Sequence, residues 1–104
     1  MTIDIRNRNW TLLTVNEYFE GNVKSISFQG PSLPASVGVM EAGEYEFSTS
    51  KKETMTVISG RMKVQLPGED SWQQFDEGDS FVVEANQKFQ LQITADTAYL
   101  CTYE

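Results

Sequence analysis

MTVISGRMKVQL, residues 55–66, contains two runs of alternating apolar and polar side chains separated by one glycine. After Gly60, Met62, Val64 and Leu66 share one face, and Arg61, Lys63 and Gln65 share the other. Successive side chains of extended chain point to opposite sides, so a period of two marks a strand with one buried face. Residues 88–93 repeat the pattern with Phe89, Leu91 and Ile93. Further short runs lie at 23–29, 35–40, 44–48, 72–75, 80–84 and 98–103, giving about nine strands at the spacing of a sandwich or barrel. Gly21, Gly30-Pro31, Gly43, Gly60, Pro67-Gly68 and Gly78 separate the runs as turn residues. Ser59-Gly60-Arg61 leaves almost no spare length, which predicts a tight hairpin there. Only residues 16–20 could form a helical turn. The fold predicted is all-β and single-domain, an antiparallel barrel or jelly roll that closes or doubles to protect its strand edges. It spans residues 16–104, with residues 1–15 as an arm packing on a partner subunit.

The chain has 104 residues, 39% hydrophobic and 22% charged, which suits one folded domain and is too short for two. A net charge of −7 argues against nucleic acid, whose phosphates are bound by clustered cations. No basic amphipathic stretch or long apolar run points to a membrane. With no secretory h-region at the N-terminus and a single cysteine, Cys101, the expected location is the reducing cytoplasm. The chain has no histidine. That removes the usual general base at neutral pH, the commonest protein metal ligand, and every Ser-His or Cys-His catalytic pair. Acidic clusters at Glu41, Glu44 and Glu46 and at Asp76, Glu77 and Asp79 lack the spacing of a calcium loop and read as solvated turns.

GEYEFSTSKKETMTVISG, residues 43–60, resembles the first motif of cupins, small double-stranded β-helix barrels. That motif is a Gly, a His-x-His pair, a Glu and, after six residues, a second Gly. Glu53 and Gly60 keep the final spacing, while the two histidine places fall on Phe47 and Thr49. GDSFVVEANQKF, residues 78–89, resembles the second motif and puts Phe89 where its histidine stands. The resemblance therefore implies a cupin barrel emptied of its imidazoles, in which Glu53 alone cannot hold the usual transition metal.

A narrower resemblance rests on NEYFEGNVKSISF (16–28), ASVGVMEAGEYEFST (35–49), ETMTVISGRMKVQLP (53–67), GDSFVV (78–83) and AYLCTY (98–103). These blocks, in this order, are similar to the small single-domain pyrimidine/purine nucleoside phosphorylase family. The resemblance implies a homodimeric, cytoplasmic pentosyltransferase. Its expected reaction joins inorganic phosphate, as co-substrate, to purine and pyrimidine nucleosides to give free base and ribose 1-phosphate. It implies no metal and no cofactor.

That chemistry suits a chain without histidine, because the nucleophile is phosphate, already ionised at neutral pH. What the protein must supply is a place for phosphate, a grip on ribose as positive charge builds at its anomeric carbon, and stabilisation of the departing base. Glu53, pointing inward on the cupin frame, is the candidate catalytic carboxylate. Thr49 is a candidate for ribose or phosphate, against the reading of a β-branched residue in an ordinary strand position. Phe47 and Phe89 are candidates for stacking on a base, against the reading that they fill the space of a lost metal site. Tyr99 and Tyr103, on one face with Cys101, offer hydroxyls to a ligand, against the reading that they pack in the core. Cys101 itself reads as a small buried apolar residue. Lys51, Lys52, Arg61 and Lys63 are candidate phosphate cations, although Arg61 and Lys63 alternate with Met62 and Val64 and so face away from the interior. Lys24 and backbone amides near Gly38 or Gly43 remain further choices. Two other functions stay open: a non-catalytic small-molecule-binding cupin, and a metal-dependent oxygenase whose ligands this chain lacks.

Overall fold

The computed structural model describes residues 13–104. Ten strands follow in order: β1 (Thr14–Tyr18), β2 (Val23–Gln29), β3 (Pro34–Met40), β4 (Gly43–Ser48), β5 (Glu53–Ser59), β6 (Arg61–Gln65), β7 (Gln73–Asp76), β8 (Ser80–Val83), β9 (Lys88–Ile93) and β10 (Thr97–Tyr103). All nine alternating runs are strands. β1 is additional, and its first two residues, Thr14 and Val15, pair with Ser27 and Ile26 of β2. The residues expected to make a helical turn are strand as far as Tyr18, and only Phe19–Gly21 forms a short 3-10 turn. The arm otherwise falls in residues 1–12, outside the described residues.

The strands form two antiparallel sheets, one ordered β1-β2-β3-β10-β5-β8 and the other β4-β9-β6-β7. The hairpin expected at Gly60 is not made. β5 pairs with β10 and β8, and β6 pairs with β7 and β9, so Gly60 is a corner between sheets. The reason lies in the two flanking patterns: Met55 and Val57 before the glycine, and Met62 and Val64 after it, all bury into the same core. Facing strands achieve this. Gly60 makes the corner with φ +94°, and a Cβ there would stand 2.6 Å from the Thr97 hydroxyl.

The interior is apolar where the sheets overlap. Met40, Met55 and Val57 of the larger sheet meet Met62, Val64, Phe89 and Leu91 of the smaller, each such burial contributing roughly 1.5–3 kcal/mol. Towards β1 the inner face of the larger sheet turns polar. Asn16 donates to the Ser25 and Ser27 hydroxyls at 3.3 and 3.0 Å, and Ser36 lies nearby on β3. Polar groups on an inner face need space and solvent, and a cavity opens at this end. Among the described residues no helix is long and apolar enough to cross a membrane.

Candidate active site

The cavity measures about 260 Å³. The larger sheet contributes Tyr18, Ser25, Glu53, Met55, Tyr99, Cys101 and Tyr103, and β4 of the smaller sheet faces them with Glu46, Phe47 and Ser48. Phe19 closes one side. The two-residue period of β10 sends Tyr99, Cys101 and Tyr103 inward together. Its register with β5 then sets Glu53 opposite Tyr103 and Met55 opposite Cys101.

Each polar group on this wall has a structural reason for its position. Tyr99 pairs with Gly38 of β3 and lies across it; a Cβ at Gly38 would come within 2.4 Å of the phenol. The Tyr103 hydroxyl is 2.7 Å from the Ser36 hydroxyl. The Cys101 thiol donates to Glu53 Oε1 at 3.5 Å. Glu46 accepts from the Gln90 amide at 2.8 Å.

Phe19 reaches the cavity through a strained corner. Phe19 (φ +53°) and Glu20 (φ +60°) both sit in the left-handed region, at about 1–2 kcal/mol each for residues with a Cβ. Aromatic contacts hold the corner: the Phe19 ring lies 5.7 Å from that of Phe47 and within 8° of parallel, and 4.9 Å from that of Tyr45.

Burial governs the ionisation of the wall. It raises the Glu53 carboxyl above its ordinary value, with the Cys101 hydrogen bond pulling the other way. Burial and then the Glu53 charge lift the Cys101 thiol to about 12, so it is a thiol and not a nucleophilic thiolate. Tyr99 is lifted to about 12 by burial and then by its neighbours Cys101 and Tyr18, and burial raises Tyr103 as well. Tyr99 and Tyr103 are therefore protonated hydroxyls that can donate, and the Glu53 and Glu46 side chains supply acceptor oxygens. Among the described residues, none of the lining side chains is a lysine or arginine.

Of the residues singled out in the sequence, Glu53, Phe47, Tyr99, Cys101 and Tyr103 meet here. Thr49 does not. It is buried outside the cavity, where its hydroxyl donates to the Glu84 carbonyl at 2.6 Å and accepts from the Gln87 amide at 3.0 Å. Phe89 is 1% exposed in the core, edge-on to Phe47. Lys51 is exposed on the β4–β5 loop, and Arg61 is exposed opposite Asp76 of β7, 3.9 Å away. The four places of a cupin metal set thus hold two phenyl rings, a hydroxyl already engaged and one carboxylate, a donor set that does not fit such an ion. Sequence reasoning missed Tyr18, Phe19, Ser25, Glu46 and Ser48. Ser25 follows Val23 on the inward phase of its run, a signal that could have found it. Nothing in the sequence marks the Phe19 corner.

A family model described as "Pyrimidine/purine nucleoside phosphorylase" matches residues 13–103. The chain belongs to this family. A relative of that name from Marinobacter nauticus is 60% identical over 92 residues, covering 88% of this chain and 99% of its own. Another, from Pseudomonas putida, is 58% identical with 88% and 98% covered. Among solved structures, a Vibrio parahaemolyticus protein of unknown function superposes with a TM-score of 0.86 at 45% identity, covering 89% of this chain and 99% of that one. An RmlC-like cupin from Shewanella frigidimarina superposes at 0.68 with 17% identity, covering 98% and 90%. At that identity the likeness establishes the fold alone, and the fold is the cupin jelly roll.

Proposed function

We propose that this protein is a nucleoside phosphorylase acting on purine and pyrimidine nucleosides, and that the cavity around Glu53 is its active site. Family membership across residues 13–103 carries the activity, and the chemistry of the cavity wall supports the location. A phosphate oxygen forms the new bond to the anomeric carbon as the bond to the base breaks, its electron pair leaving with the base. The proton that the base takes up is one that hydrogen phosphate brings, so no enzymic base is required. Glu53 faces the ribosyl group and offsets its developing positive charge. Tyr99, Tyr103 and Ser25 donate to ribose and phosphate oxygens. The Phe47 and Phe19 rings offer a stacking surface for the base, and stacking accepts one ring or two. The reaction is a pentosyl transfer and uses no metal or cofactor.

The protein works in the cytoplasm, a reading supported by its one free, buried cysteine. It works as a homodimer. The outer face of the larger sheet supports this, since Val15, Ile26 and Val37 stand in register across three strands, exposed, with Val39 and Ile58 beside them. Such a patch favours a partner.

The test is to incubate pure protein with uridine or adenosine, with and without phosphate, and to follow free base by chromatography. Base released only with phosphate supports the reading. Saturable binding of nucleoside without turnover overturns it in favour of a binding cupin, and activity lost to chelator and restored by iron overturns the metal-free scheme.

A further inference from the structure

Among the described residues, the cavity lining pairs two carboxylates with hydroxyls and a thiol and includes no cation. That is an unusual place for a dianion. Of the cations near its elements, Lys24 is turned to Glu17 at 3.8 Å, Lys52 to Glu104 at 3.9 Å and Arg61 to Asp76 at 3.9 Å. Glu46 is already an acceptor for Gln90. Among the described residues, Glu53 receives only the weak, long thiol donor of Cys101, which leaves lone pairs of its carboxylate facing the cavity. The other groups around it are Tyr18 from β1, Tyr99 and Tyr103 from β10, and Glu46 from β4; Ser25 of β2 does not titrate, and the β8 residue paired with Glu53, Val83, is apolar.

Two anions facing each other in a partly buried cavity repel unless a proton lies between them. Resting on the active-site reading above, we infer that the cavity binds phosphate with one proton more than hydrogen phosphate dianion carries, shared between a phosphate oxygen and the Glu53 carboxylate. Whether that proton is written on phosphate or on Glu53, the pair is one species. The inference identifies Glu53 as the residue that selects the anion. Phosphate and arsenate can supply the shared proton near neutrality. Sulfate, fully ionised there, cannot, and it meets an unscreened carboxylate. The burial that raises the Glu53 carboxyl favours the same protonated pair.

Calorimetry of phosphate binding to the intact protein, in buffers of different ionisation enthalpy, reads the proton directly. At about pH 8 uptake should approach one proton per phosphate bound, and the phosphate KM with uridine saturating should climb about tenfold per pH unit above the second ionisation of phosphoric acid. Sulfate should not compete. In Glu53→Gln the slope of KM should flatten, and sulfate should begin to inhibit against phosphate. No proton uptake, a KM independent of pH, or sulfate competing with the wild-type protein as well as phosphate binds would overturn the inference while phosphorolysis stood. Absence of base release at every pH would remove the active-site reading and this inference with it.

Discussion

Glu53 carries opposed demands that one substitution separates. Its carboxyl is raised by burial, so the folded protein binds this proton more tightly than the unfolded chain does. Stability therefore falls as pH rises from the unfolded value through the folded one, and at neutral pH the ionised group is a cost to the fold. Glu53→Gln should lower turnover about tenfold or more, ~1.4 kcal/mol of barrier, yet melt at a higher temperature than wild type at neutral pH, with the difference shrinking under acid. Paired melting curves and initial rates check both signs. Thr49 belongs to the opposite class. Thr49→Val leaves the Gln87 amide without its acceptor and should cost roughly 1–3 kcal/mol of stability with nucleoside KM unchanged, measured by denaturant unfolding and steady-state kinetics. The cupin spacing places Phe89 correctly on its strand, whereas Thr49 falls just past the end of β4. What spacing does not give is what lies opposite. The Glu84 carbonyl and Gln87 amide, more than thirty residues on, engage the hydroxyl before any ligand can, and the Phe89 ring fills the core that the other strands bring to it.

At the scale of elements, β10 builds the site, and its partners decide which way its side chains lean. The absent Cβ of Gly38 provides the room in which the Tyr99 ring lies. Gly38→Ala should displace that phenol, at roughly 1–3 kcal/mol from overpacking, and raise the KM for phosphate or nucleoside together with the loss in melting temperature. A substitution that lowers stability alone would put Tyr99 outside substrate contact. The strands themselves were legible because their inner faces are apolar, as at Met62 and Val64 or Phe89 and Leu91. β1 was not, because the residues it turns inward are polar: Asn16, whose amide hydrogen-bonds two serines, and Tyr18, which lines the cavity. Gly60 was legible as a turn but not as a sheet-to-sheet corner. Local alternation is the same whether two strands lie side by side or face each other, and only the shared core distinguishes the cases.

At the scale of the molecule, the homodimer proposed above would use the exposed row of Val15, Ile26 and Val37 as its contact. Val37→Lys, at the centre of that face, should shift the species seen by sedimentation from dimer to monomer. An unchanged mass would place the subunit contact elsewhere. The order of the larger sheet sets one further property. Among the described residues, β10 is held on both sides, by β3 and β5, whereas β1 is held by β2 alone and carries the Phe19 corner at its end. The two sides of the cavity thus differ in how firmly they are anchored, and edge elements open first. Amide exchange should be slow along β10 and fast through residues 14–21, so that gentle warming loosens the aromatic roof while the tyrosine floor keeps its form, and catalytic competence fades at temperatures where the barrel as a whole is still intact.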